Sequence, residues 1–127
     1  MFVEKKIWKK ALLKITKDTL IKDGINSLNT SGMQIIIVVD NRNKLIGTIT
    51  DGDIRRSLLD GKTINSKITS IINRKPVYID DKNKFSSKKI NNLNSFLAPV
   101  LNNKSIVIGI KQFVKDSHPL LNNPLII

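Results

Sequence analysis

Cysteine is absent from the 127 residues, which excludes a disulfide framework, a thiol nucleophile and a thiolate metal site. Histidine occurs once, at His118 beside Pro119, with no carboxylate or thiol at a spacing that would make it a general base. A Walker- or Rossmann-type glycine loop is missing too. Asp51 and Asp53, standing beside two arginines, make a poor cage for a divalent ion. No catalytic residue, metal or catalytic cofactor is therefore expected. Aromatic residues are 5% of the chain, too few for a stacking platform on single-stranded nucleic acid. Acidic residues are also scarce, 10 against 22 basic ones, giving a formal net charge of +12. That balance invites a nucleic-acid partner. Only Arg42, Arg55, Arg56 and Arg74 are arginine, however, and the lysines are scattered over every segment of an Asn- and Ile-rich chain. A general coding bias and a solvated surface account for this, and no specific nucleic-acid partner is expected. Long apolar runs are lacking, and the first 13 residues place Lys5, Lys6, Lys9 and Lys10 around a short one. Neither a signal peptide nor a membrane partner is expected, and the location is read as cytoplasmic.

What is present is 40% hydrophobic residues, enough for a core in one small domain or a pair of repeats. Residues 4–13 read as a short amphipathic helix with Trp8 as a packing anchor, and 13–16 as a strand. A helix over 18–30 carries Ile21, Ile25 and Leu28 on one face and stops at Gly32. The β-branched run Ile35-Ile36-Ile37-Val38-Val39 predicts a strand buried on both faces. A turn over 40–43 leads to an antiparallel return strand over 44–50. A helix over 51–59 follows, with Ile54 and Leu58 as its apolar stripe and Gly61 beyond its end. Ile64, Ile68, Ile71 and Ile72 have helical spacing, so 63–73 reads as a connecting helix.

The β-α-β-β-α order then recurs. A strand over 76–79, a helix marked by Phe85, Ile90 and Leu93, a strand over 97–101, a turn and a return strand over 106–110 repeat the first unit. The strand pair repeats at an offset of 62 residues (Ile35 to Leu97, Gly47 to Gly109), the helix at 65.

The stretch Gly47-Thr48-Ile49-Thr50-Asp51-Gly52-Asp53-Ile54-Arg55-Arg56 carries the chemistry. It predicts a strand turning at once into a helix, with acceptors, free backbone N–H groups and two guanidinium groups gathered at the turn. Thr50 and Asp53 also have the spacing of an ordinary capping-box-like helix start. On the offset of 62 the counterparts of Thr50, Gly52 and Asp53 are Gln112, Val114 and Lys115, so a second equivalent site is not expected.

These features resemble a pair of cystathionine-β-synthase (CBS) domains, a Bateman module, over residues 13–117. The Gly47-x-x-Thr50-x-x-Asp53 run is similar to that family's Gly-x-x-Thr/Ser-x-x-Asp signature. The resemblance implies an α+β fold of two β-α-β-β-α repeats packed sheet to sheet with pseudo-two-fold symmetry. It divides the chain into an N-terminal helix (1–12), a first repeat (13–62), a connecting helix with a degenerate second repeat (63–117) and a tail (118–127). It implies an adenine-nucleotide effector (AMP, ADP or ATP) in a cleft between the repeats. Thr50 would bond phosphate or ribose, Asp53 would accept from ribose hydroxyls, and Arg55 and Arg56 would be phosphate candidates. Gln34, Ile35, Val77, Tyr78 and Ile79 would flank the base. CBS modules pair into two-fold discs, and the stripes Ile54/Leu58 and Ile64/Ile68/Ile71 would serve a homodimer. The longer run through Leu59 resembles the regulatory pair that precedes a bacterial sugar-nucleotide nucleotidyltransferase, with the tail leading into a catalytic domain beyond the chain. A similar pair follows sugar-phosphate isomerases, and a ligand-free structural dimerisation pair is the third alternative.

Overall fold

Two three-stranded sheets make up the computed structural model, which describes residues 8–86 and 95–114. In the first sheet β1 (Leu12–Lys14), β2 (Ile35–Val39) and β3 (Leu45–Thr50) lie in that order, β1 parallel and β3 antiparallel to β2. Helix α1 (Ile21–Ser31) connects β1 to β2, and α2 (Asp51–Leu59) begins at the residue after β3. The second sheet repeats this order and these directions with β4 (Ile79–Asp80), β5 (Ser95–Leu101) and β6 (Val107–Val114).

The central run of β-branched residues behaves as its pattern requires, since all five residues of β2 are buried. Ile35, Ile37 and Val39 point to the second sheet and form a core with Trp8, Ala11, Leu101, Val107 and Ile110. Ile36 and Val38 point the other way, into a second core with Ile21, Ile49, Ile54 and Ile68. One strand thus serves both the sheet-to-sheet and the helix-to-sheet layers. Gly32 ends α1 in the left-handed region (φ 68°), which a glycine adopts without penalty.

The offset of 62 holds in three dimensions. Each hairpin has a bulge at the same point, after Val38 opposite Gly47 and after Val100 opposite Gly109. Asp40 Oδ1 accepts from the amides of Arg42 (2.8 Å) and Lys44 (3.0 Å). Asn102 Oδ1 accepts from those of Lys104 (2.9 Å) and Ile106 (3.0 Å). Asn43 and Ser105 take left-handed φ values of 62° and 64°. The two tips also bond to each other: Leu45 N donates to Ser105 O (3.1 Å) and Val107 N to Asn43 O (3.0 Å). Residues 43 and 105, and 45 and 107, are counterparts on the same offset, so this pair of bonds sits on a pseudo-two-fold axis. The fold is the expected α+β pair of repeats.

Several elements differ from expectation. Over 63–73 the helix is confined to a single 3-10 turn, Ile68–Ile71. Beyond the short turns Ser66 N to Thr63 O and Ser70 N to Lys67 O, the segment's backbone bonds to the first repeat. Ile64 O and Ser66 O accept from the first amides of α1, Lys22 N and Ile21 N (2.9 Å each). Ile68 N donates to Thr19 O (2.9 Å), and Asn73 exchanges two bonds with Thr48 (2.9 and 3.0 Å). The helix expected over 4–13 is a 3-10 turn at Lys9–Ala11, with residues 4–7 outside the described residues, and Trp8 is a buried anchor of the inter-sheet core. β1 starts one residue before the expected strand, and β4 holds only Ile79–Asp80 of its neighbourhood. β6 runs to Val114, beyond the expected end at Ile110. Phe85 forms a bridge with Ile79, while Ile90, Leu93, Lys115, His118 and the tail lie outside the described residues.

Candidate functional site

The motif glycine has a steric reason. A Cβ on Gly47 would run into the backbone carbonyl oxygen of Asn73 and stand 2.5 Å from Ile72 Cγ2. The segment that joins the repeats crosses β3 here, paired through Thr48. Three residues on, Thr50 leaves the strand with extended dihedrals (φ −101°, ψ 165°) and caps α2. Its Oγ1 accepts from Asp53 N (3.1 Å), and Asp53 Oδ2 accepts from Thr50 N (2.9 Å). This reciprocal box occupies two backbone donors of the helix start. Asp51 N donates to Gln34 O (3.3 Å), and Ile35 lies opposite Thr50 in the β2–β3 ladder. The register therefore gathers Gln34, Ile35, Thr50 and Asp53 at one end of the first sheet.

The two adjacent arginines diverge, as neighbouring helix positions must. Arg55 Nη2 meets Asp51 Oδ2 at 2.6 Å with both side chains exposed. Arg56 Nη2 meets Asp53 Oδ1 at 2.6 Å, with the Asp53 side chain only 25% exposed. Asp53 is thus engaged through both oxygens. The i, i+3 spacing of Asp53 and Arg56 was the signal for a pair that sequence reasoning missed. Tyr78 packs on the inter-sheet core that also contains Ile35. Ile79, the first residue of β4, is buried, and Val77 is half-buried.

In the second repeat the counterpart of Thr50 does not end a strand. Gln112 lies within β6 opposite Leu97, and Phe113 lies opposite Phe96. A helix start like that of α2 is absent at this point among the described residues.

The resulting architecture is two sheets of identical order joined about a pseudo-dyad, with a Gly-x-x-Thr-x-x-Asp helix start at the end of the first. A family model described as the CBS domain matches residues 9–60. A CBS domain-containing protein of Dictyostelium discoideum is 30% identical over 119 residues, covering 83% of this chain and 81% of the relative. The chain belongs to the CBS-domain family. It spans only 19% of the length of two Helicobacter pylori relatives that it matches at 32% identity over 62 residues. A CBS domain protein from Pyrobaculum aerophilum, solved in complex with AMP, has the same fold (TM-score 0.63, 14% identity, 90% of this chain and 86% of that one). So does a CBS domain pair solved with methylthioadenosine and S-adenosylmethionine (TM-score 0.62, 21% identity, 90% of this chain and 93% of that one). Its two repeats accordingly form a CBS-domain pair. Among the described residues no helix is long and apolar enough to cross a membrane.

Proposed function

We propose that the chain senses an adenine nucleotide (AMP, ADP or ATP) and biases an enzyme attached to it. The single observation that carries this reading is the meeting of Gln34, Ile35, Thr50 and Asp53 at the start of α2, beside the inter-sheet core. The AMP complex of the Pyrobaculum aerophilum protein, which shares the fold, supports the choice of ligand. In this reading Asp53 accepts from the ribose hydroxyls and Thr50 from ribose or toward phosphate. Arg55 and Arg56 supply positive charge, and Tyr78, Val77, Ile79, Gln34 and Ile35 flank the base. The run Thr50-Asp51-Gly52-Asp53-Ile54-Arg55-Arg56 favours a sugar-1-phosphate nucleotidyltransferase as the enzyme. A sugar-phosphate isomerase is the alternative. Calorimetric titration with AMP, ATP and CMP tests the site. A hydrogen bond to a charged group contributes about 1.5–3 kcal/mol, so Asp53→Ala should weaken binding by about ten- to a hundredfold.

A second reading has its own observation. Both oxygens of Asp53 already have a partner within the protein, which suits a ligand-free dimerisation pair. Asp53→Ala would then melt earlier, and no nucleotide would titrate into the parent. In either reading the chain is a homodimer joined through Leu58, Leu59 and Ile64, which remain exposed while Ile54 and Ile68 are buried in the protomer. A monomer mass by light scattering at micromolar concentration would exclude it.

A further inference from the structure

Asp53 is held by two different kinds of partner. Its Oδ2 takes the amide of Thr50, a bond that lasts as long as the helix start does. Its Oδ1 takes the guanidinium of Arg56 at 2.6 Å, a bond that only a side chain maintains. Each carboxylate oxygen can accept two bonds, so a ribose diol spanning both oxygens of Asp53 competes with the Arg56 guanidinium for the approach to Oδ1. We propose that Arg56 is an intramolecular latch on Asp53, in competition with an effector's ribose. The proposal rests on the reading of Asp53 as the ribose acceptor.

The geometry is built for such a fold-back. The guanidinium of Arg56 lies over Gly52, where a Cβ would stand 3.2 Å from Nη1 and 3.6 Å from Nη2. Glycine at the second position of α2 leaves this path clear at a helical φ, so its use there is spatial and not conformational. Arg55 does not share the role, because it is turned to Asp51. The latch is also weak enough to open. The Arg56 side chain is 68% exposed, and exposed ion pairs are screened by salt and contribute little. Opening it frees a guanidinium for a phosphate, which adenosine lacks and AMP carries.

Titration calorimetry of the 127-residue chain with adenosine and with AMP, at low and physiological salt, tests this. Arg56→Gln should bind adenosine about two- to fivefold more tightly than the parent. Adenosine is uncharged, so its affinity for the parent should rise with salt toward that of the variant, whose own affinity stays flat. AMP should gain less from Arg56→Gln, having lost a phosphate partner. Gly52→Ala, which keeps Arg56 and crowds its fold-back path, should shift adenosine binding in the same direction as Arg56→Gln. Unchanged or weaker adenosine binding by Arg56→Gln, with the parent still binding, overturns the latch and leaves the site standing. Absence of binding by parent and variants with both ligands overturns the site, and the latch with it.

Discussion

The two repeats share a hairpin and part company three residues after its glycine. Up to Gly47 and Gly109 they agree in bulge, turn and register. Beyond that point the first chain segment leaves its sheet at Thr50 and the second stays in its sheet to Val114. The difference lies in side chains, not in the frame. Thr50-Asp51-Gly52-Asp53 contains short acceptors that can satisfy the amides of a helix start. Gln112-Phe113-Val114 has none, and Phe113 and Val114 favour a strand. Phe113 stacks on Phe96 across the ladder (centroids 4.9 Å, planes 13°), meets Phe85 edge-on at 4.8 Å and carries Lys111 Nζ 5.4 Å from its centroid. Cross-strand aromatic pairs reward continued pairing. A few residues thus decide whether this hairpin ends in a polar helix start or in more sheet.

The largest effect should come from the layer the repeats share. Ile37→Ala and Leu101→Ala each remove a branched side chain from the same inter-sheet core, and each should cost about 2–5 kcal/mol in urea unfolding. Both should lower one cooperative transition, whereas two separate transitions would break the view of the repeats as one folding unit. Gly47→Val forces atoms against Ile72 and the Asn73 carbonyl and should cost about 1–3 kcal/mol, with backbone on one side unable to yield. Stability equal to the parent's would show that the joining segment can lift off β3. Thr50→Ala makes the first repeat more like the second by removing the cap, for about 1 kcal/mol lost in thermal unfolding.

The smallest effect is a pH dependence. The amides of Lys44 and then Arg42 hold the Asp40 carboxyl below its ordinary value of 3.8. A lowered folded-state value adds stability that is present above 3.8 and lost as pH falls through the lowered value. Asp40→Asn copies Asn102, which makes the same turn with an uncharged oxygen. The variant should therefore lose less stability than the parent between about pH 6 and about pH 2. Some acid sensitivity should remain, because Lys84 N and Lys82 N lower Asp80 in a third turn of this kind. An unchanged acid limb would rule Asp40 out as its source.

Much of this was legible in the residues. The run from Ile35 to Val39 announced its burial, the offset of 62 announced the duplicated hairpin, and Thr50 with Asp53 announced a capped helix. The failures were tertiary. Four isoleucines at helical spacing gave a helix over 63–73, but the carbonyls of Ile64 and Ser66 are used by α1 and the amide of Asn73 by β3. The expected stripe Ile54/Leu58 is half right. Ile54 is buried, but Leu58 is 38% exposed and Ser57 is buried in its stead, its hydroxyl donating to Ile54 O at 2.6 Å. A satisfied hydroxyl can occupy a core face that hydropathy assigns to leucine. At the site, the Gln34 carbonyl and the fold-back of Arg56 depend on strand register and on a rotamer, and neither is written in residue types.

The pair of hydrogen bonds between the hairpin tips has an evolutionary reading. Both donors and both acceptors are main-chain atoms, at Asn43, Leu45, Ser105 and Val107. A junction of this kind places almost no demand on which side chains stand there, beyond tolerance of a left-handed φ at 43 and 105. Two copies of a duplicated unit can then drift apart in composition while staying locked in the same mutual orientation. The first repeat can then carry Thr50 and Asp53, and the second Gln112 and Lys115, without loosening the joint between them.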